Sequence, residues 1–274
     1  MKVADVGRFR LGRTAIGRLI VVVVVAALVA VGAMSGALPA RRWEPFFEAS
    51  TWTFLGEGLL VTLVVGGIAL VGSLALSVPL GMARTELRGV PGALVTGWIE
   101  LVRATPILAI LVIVFLGVPR LGLRLEALQA AVIGLIIYNS AVLAEIVRAG
   151  IASIPKGEVE AARSLGLGYV STMRFVVLPQ AVARMTPAIV SQLITLIKDT
   201  SLAFILGAQE LVGYGRSFFN FYGNSMETYV VIAIIFFVIC YPLSRLSRRL
   251  EARQPVAERV VVTGEADQLA AATP

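Results

Sequence analysis

The sequence predicts an all-α membrane protein with six transmembrane helices, and three observations carry that prediction. Of 274 residues, 58% are hydrophobic and only 15% charged. A soluble domain of this length has no interior large enough for so much apolar surface, so lipid must be its solvent. The apolar residues also fall into long runs, and a helix needs about 20 of them to cross the hydrocarbon core. Finally, basic residues are dense in alternate inter-run segments, the pattern that fixes orientation in a membrane.

Taken in order, the spans lie near 17–38, 56–82, 93–118, 127–149, 182–206 and 228–246. Lys2, Arg8, Arg10, Arg13 and Arg18 precede or open the first span and place the amino terminus in the cytoplasm. Six crossings return the carboxyl terminus to the same side. Seventeen of the 24 basic residues then occupy cytoplasmic segments and five lie outside, while Arg103 and Lys198 fall within spans. Trp43, Phe46, Phe47 and Trp52 suit an outer interfacial belt. Residues 1–39 also have the basic start and apolar middle of a signal peptide, but no clean Ala-x-Ala site follows. Residues 251–274 lack a sustained apolar period and read as a loose cytoplasmic tail.

Several chemistries are excluded. The chain has no histidine, which removes His-based acid–base catalysis and His-ligated metals. Its single cysteine, Cys240, lies in an apolar run, so no disulfide or cysteine metal cluster forms within one chain. No phosphate-binding Gly-x-x-x-x-Gly-Lys-[Ser/Thr] loop is present. The net charge of +7 suggests nucleic acid, but the basic residues flank spans instead of forming a patch, so no nucleic-acid partner is expected.

The segment between the fourth and fifth spans carries the strongest signal, Glu158-Val-Glu-Ala-Ala-Arg-Ser-Leu-Gly-Leu-Gly-Tyr-Val-Ser-Thr-Met-Arg-Phe-Val-Val-Leu-Pro179. Its first part, 156–166, reads as a short helix. Pro155 precedes it, Glu158 and Glu160 lie near its positive end, and Arg163 falls toward its negative end. Gly166 is placed just past the helix, where positive φ is needed. Ala161, Ala162 and Leu165 form a small apolar patch. A second helical stretch, 169–177, is expected to end before Pro179. By itself such a segment reads first as an ordinary connecting loop with a solvated charged face, and only second as a helix that docks in a partner's groove.

The spacing of Glu160, Ala161, Ala162, Gly166, Val176, Leu178 and Pro179 resembles the EAA loop of permease subunits in binding-protein-dependent ABC importers, with Val176 in place of the usual isoleucine. The resemblance implies a five-helix permease core over 53–250, with the coupling loop at 156–179. Residues 1–52 would add a cytoplasmic amino terminus, an extra transmembrane helix and an outer loop. Further implied are ABC ATP-binding subunits docked on Glu160, Ala161, Ala162, Arg163, Leu165, Gly166, Leu178 and Pro179. A second permease, identical or homologous, and an extracellular solute-binding protein complete the assembly. This chain would bind no cofactor and hold no catalytic residue, with ATP and Mg on the partner. The location implied is the bacterial cytoplasmic membrane.

Three further stretches resemble the polar amino-acid branch of that family, with glutamate or glutamine favoured. They are Glu100-Leu-Val-Arg-Ala-Thr-Pro106, with Ala104 replacing a glycine, then Tyr138-Asn139 with Ala144–Ile151, and Lys198-Asp-Thr-Ser-Leu202. Charges within spans are costly and usually face a bundle interior or an aqueous path. A zwitterion needs a cation for its carboxylate and oxygens for its ammonium. Candidate pathway residues are therefore Arg103, Thr105, Asn139, Glu145, Lys198, Asp199, Thr200 and Ser201. Structural alternatives stand beside these. Glu100 and Arg103, three apart, are placed to neutralise each other. Lys198 and Asp199 would pair with other helices, Asn139 would hydrogen-bond a neighbour, and Thr200 and Ser201 would bond their own backbone. A straight helix from Gly92 puts Arg103 about 16 Å deep, near the midplane, whereas a break at Thr105-Pro106 leaves it nearer the cytoplasm. Gly66, Gly67, Gly72, Ser73 and Ser77 mark close helix packing. Other readings are a permease for another small polar solute, or a secondary transporter driven by an ion gradient.

Overall fold

The computed structural model describes residues 39–252. The first predicted span and the tail beyond Ala252 lie outside the described residues. A 3-10 helix, Ala40–Phe47, leads into α1, Ala49–Glu86. At 38 residues α1 is about 57 Å long, well beyond the ~30 Å hydrocarbon core. The aromatic residues at its start divide by role. Phe46 is buried against Phe218, while Phe47 is exposed and Trp52 donates its Nε1 hydrogen to the Phe46 carbonyl at 2.8 Å.

The predicted span 93–118 is not one straight helix. Gly89–Ala104 (α2) and Ile107–Gly117 (α3), prolonged by a 3-10 turn to Leu121, meet at an angle of 102°. Pro106 has no N–H to continue the ladder and drives Thr105 into extended backbone, φ −85° and ψ 132°. The Thr105 N–H covers the Val102 carbonyl that Pro106 cannot reach, donating to it at 3.3 Å and to Leu101 at 3.1 Å, and the Thr105 hydroxyl adds a bond to Leu101 at 2.8 Å.

Ala127–Ala152 (α4) is the central helix and packs on α1, α2, α3 and the later long helix. It begins with a reciprocal cap between Glu126 and Gln129. Leu111, Leu135 and Leu196 are fully buried in the core around it. The α1–α4 contact is close at Gly81, where an added Cβ would lie 2.7 Å from the Ala144 carbonyl oxygen and 2.8 Å from Val147. Gly72 is tight against Ile136, whereas Gly67 faces open space, so the small-residue stripe is only partly a packing seam.

After α4 come Lys156–Ser164 (α5), Tyr169–Thr172 (α6), a π-turn Met173–Val177, and Leu178–Asp199 (α7) with a 3-10 extension to Leu206. The stretch 169–177 therefore does not stop before Pro179. The chain stays helical from Tyr169 to Leu206, with the π-turn Met173–Val177 directly before Pro179, so the proline falls where the i−4 ladder is already interrupted. Leu211–Tyr222 (α8) starts at Glu210, whose carboxylate accepts from Val212 and Gly213 N–H at 2.9 and 3.0 Å. Ser225–Ala252 (α9) closes the bundle. Among the described residues no strand is present, and the spans number four, or five with the bent pair as one.

Gly81→Val should overpack the α1–α4 seam and cost about 1–3 kcal/mol, while Gly67→Val should leave stability unchanged. Thermal unfolding in detergent would separate the two; equal melting temperatures would refute the seam.

Candidate functional site

The elbow between α4 and α7 is built as a rigid bracket. The end of α5 is closed by two bonds, Leu167 N–H to the Ala162 carbonyl at 3.2 Å and Gly166 N–H to the Arg163 carbonyl at 2.9 Å. This double closure requires a left-handed residue, and Gly166 has φ +80°. Ala162 is buried, tucked toward the bundle, while Ala161 is exposed and Leu165 is 84% exposed. The predicted three-residue patch is thus split: one alanine seats the helix and the other two positions face outward. Val170 and Phe175 extend the exposed apolar surface. Of the other motif residues, Glu160 and Arg163 are exposed on α5, Leu178 is half-buried, and Pro179 is exposed.

Two polar ties hold this bracket to the bundle. Gln180 donates to Glu158 at 3.3 Å, and the Arg184 guanidinium donates to the Ser153 carbonyl at the end of α4. The second places a cation at the negative end of a helix.

Immediately above lies an ion cluster. Arg84 of α1 donates to Glu100 of α2 and to Glu145 of α4, both at 2.9 Å. Arg148 closes on Glu145 at 2.7 Å. Glu100 therefore does not pair with Arg103. Arg103, two residues before the bend, is exposed on the last turn of α2 and makes no ion pair among the described residues. The break removes the straight-helix depth argument for it. Glu145 is held between two arginines and joins helices. In sequence Arg84 is one more basic residue beside a span, and only the fold brings it to Glu100 and Glu145.

Asn139 is fully buried and serves the bundle. Its amide donates to the Leu135 carbonyl at 2.9 Å and its oxygen accepts from Gln192 of α7 at 2.7 Å. Thr200 is buried and bonds the Ile197 carbonyl, and Ser201 bonds that of Lys198. Lys198 and Asp199 make no ion pair with another helix among the described residues.

Lys198 instead lines a groove between α7 and α9. A cavity of about 310 Å³ is bounded by Ser191, Thr195 and Lys198 on one side and Ser244, Ser247, Arg248 and the Glu251 carboxylate on the other. A second, apolar cavity of about 410 Å³ meets it at Lys198 and is lined by Ser201, Phe236 and Phe237. Ser191, Thr195 and Lys198 follow the helical repeat of four and three. That polar stripe was legible in the sequence as hydroxyls spaced along an apolar span.

Comparison with known proteins gives the same architecture. Residues 73–254 match the family described as the binding-protein-dependent transport system inner membrane component. The chain belongs to that family. Over 207 residues the permease is 41% identical to the probable glutamine ABC transporter permease protein GlnP of Bacillus subtilis, covering 73% of this chain and 94% of that one. It is 34% identical over 227 residues to the glutamate transport system permease protein GluD of Corynebacterium glutamicum, covering 79% and 81%. Among solved structures, it resembles an amino acid ABC transporter crystallised with histidines, with a TM-score of 0.69, 29% identity, and coverage of 74% and 94%. The permease is a multi-pass membrane component.

Gln192→Leu should strand the buried Asn139 oxygen, and the double variant Asn139→Leu/Gln192→Leu should recover part of the loss. The expected coupling is about 0.6–1.7 kcal/mol, read as a double-mutant cycle of unfolding free energies. Strict additivity would contradict the interhelical bond.

Proposed function

We propose that the permease carries a polar amino acid inward, glutamine or glutamate foremost, powered by ATP and Mg bound on separate ATPase subunits. The elbow carries this reading. Its helix is fixed to the bundle on one side through Ala162 and presents Ala161 and Leu165 on the other, which is how a short helix enters a partner's groove. Motion of the ATPase would pass from α5 through the ties to Glu158 and Ser153 into α7 and α4. The chain itself would bind no cofactor and perform no bond chemistry. Both termini would lie in the cytoplasm, on the ATPase side.

The cargo reading is supported by two relatives named for glutamine and glutamate and by the groove at Lys198. A cation and several hydroxyls there would bind carboxylate and amide oxygens while leaving an aqueous route. Asp199, Thr105 and Arg103 remain candidates for the ammonium end and for the entrance. An extracellular solute-binding protein would deliver the cargo, and a second permease, identical or homologous, would close the path.

Gly166→Trp tests the elbow directly. Nothing lies within 4 Å of the position a Cβ would take, so its penalty comes from φ +80°, about 1–2 kcal/mol of backbone strain. The variant should insert in the membrane normally and lose ATP-driven uptake of labelled glutamine. Uptake at the wild-type rate would remove the docking role.

A further inference from the structure

A small pocket lies behind the coupling helix, on the side facing the bundle. Its volume is about 170 Å³, and its walls come from the ends of α1 and α4, from α5, and from α6 with the π-turn. Glu86 closes one side and Arg163 another, with the Tyr169 and Thr172 hydroxyl side chains between them and Val159 and Met173 among the apolar walls. Glu86 and Arg163 carry opposite charges and border one cavity, yet among the described residues neither makes an ion pair.

We propose that this pocket is a cytoplasmic site for a zwitterionic amino acid, by which accumulated product slows further import; this rests on reading the chain as an amino-acid importer. The chemistry follows from the two separated charges. The planar Arg163 guanidinium matches a carboxylate with two parallel hydrogen bonds, and the Glu86 carboxylate takes an ammonium group. Both side chains are solvent-exposed, so the selectivity is additive: a solute carrying both signs makes two charge-assisted contacts where a singly charged one makes only one. The volume holds about five or six water-sized groups at ~30 Å³ each. That admits the ammonium–carboxylate end of an amino acid and excludes a nucleotide.

The position gives the site its consequence. Arg163 belongs to the coupling helix, whereas Glu86 belongs to the bundle. A ligand bridging them fixes the elbow in the arrangement seen here, and a ligand that favours one arrangement shifts the population toward it. Transport requires the elbow to move, so the filled pocket opposes turnover.

The test uses the complete transporter in proteoliposomes with ATP inside and the solute-binding protein outside, reading initial rates of labelled glutamine uptake. Millimolar unlabelled glutamine inside should slow the wild type about fivefold or more, whereas acetate or methylammonium should not. Glu86→Gln should keep the rate seen with an empty lumen and lose the inhibition, and Tyr169→Phe should weaken it. A wild type indifferent to internal glutamine overturns the site, as does inhibition that persists unchanged in Glu86→Gln. Failure of any amino acid to enter in an ATP-dependent way sinks the importer reading itself.

Discussion

Arg84 holds the elbow end of this bundle together. It binds Glu100 and Glu145 at 2.9 Å each, so one guanidinium joins α1, α2 and α4. These three helices differ in what fixes them elsewhere. α1 and α4 share a tight seam at Gly81, but α2 is half a span, cut off from α3 by a 102° bend. A helix of 16 residues covers about 24 Å and anchors itself in the core through Ile99 and Val102. The ionic tie sets its direction, and the elbow begins one turn beyond the same cluster, after Arg148.

The elbow makes sense as the stiff end of that assembly. Ser153 receives Arg184, Glu158 receives Gln180, and Ala162 is buried. Each contact reaches a different helix or a different turn, so α5 cannot rotate alone. Gly166 supplies the only left-handed residue between α5 and α6, which lets the chain turn between Ser164 and Tyr169. A stiff bracket with one exposed apolar edge transmits displacement; a loop of the same length would absorb it.

Much of this was legible in the sequence, for identifiable reasons. Gly166 sits where a helix-ending closure needs positive φ, and the local pattern suffices to place it. Apolar runs bound the spans because lipid leaves the backbone no alternative to helix. What the sequence leaves open are choices that local pattern does not determine. Glu100 has a cation three residues away, yet Arg103 stays exposed and Arg84, from another helix, takes the carboxylate. For Asn139 a hydrogen bond to a neighbouring helix is the favoured reading and pathway lining the second, and only the fold supplies the partner, Gln192. Proline gives a third ambiguity: Pro106 ends α2, whereas Pro179 follows a π-turn that already interrupts the ladder.

The uncovered faces of the bundle differ in kind, and this bears on what surrounds it. Along α1 the exposed residues include Leu60, Val64, Ile68 and Val71, a surface that hydrocarbon covers without cost. Along α7 the exposed residues include Ser191, Thr195 and Lys198, polar groups that hydrocarbon covers only at a cost in free energy. That difference favours water or protein over lipid on the α7–α9 groove. A second permease set against this groove would supply such cover, which is why the path is proposed between two chains and not through the middle of one. The tightly packed interior around Leu111, Leu135 and Leu196 leaves no room for a solute there.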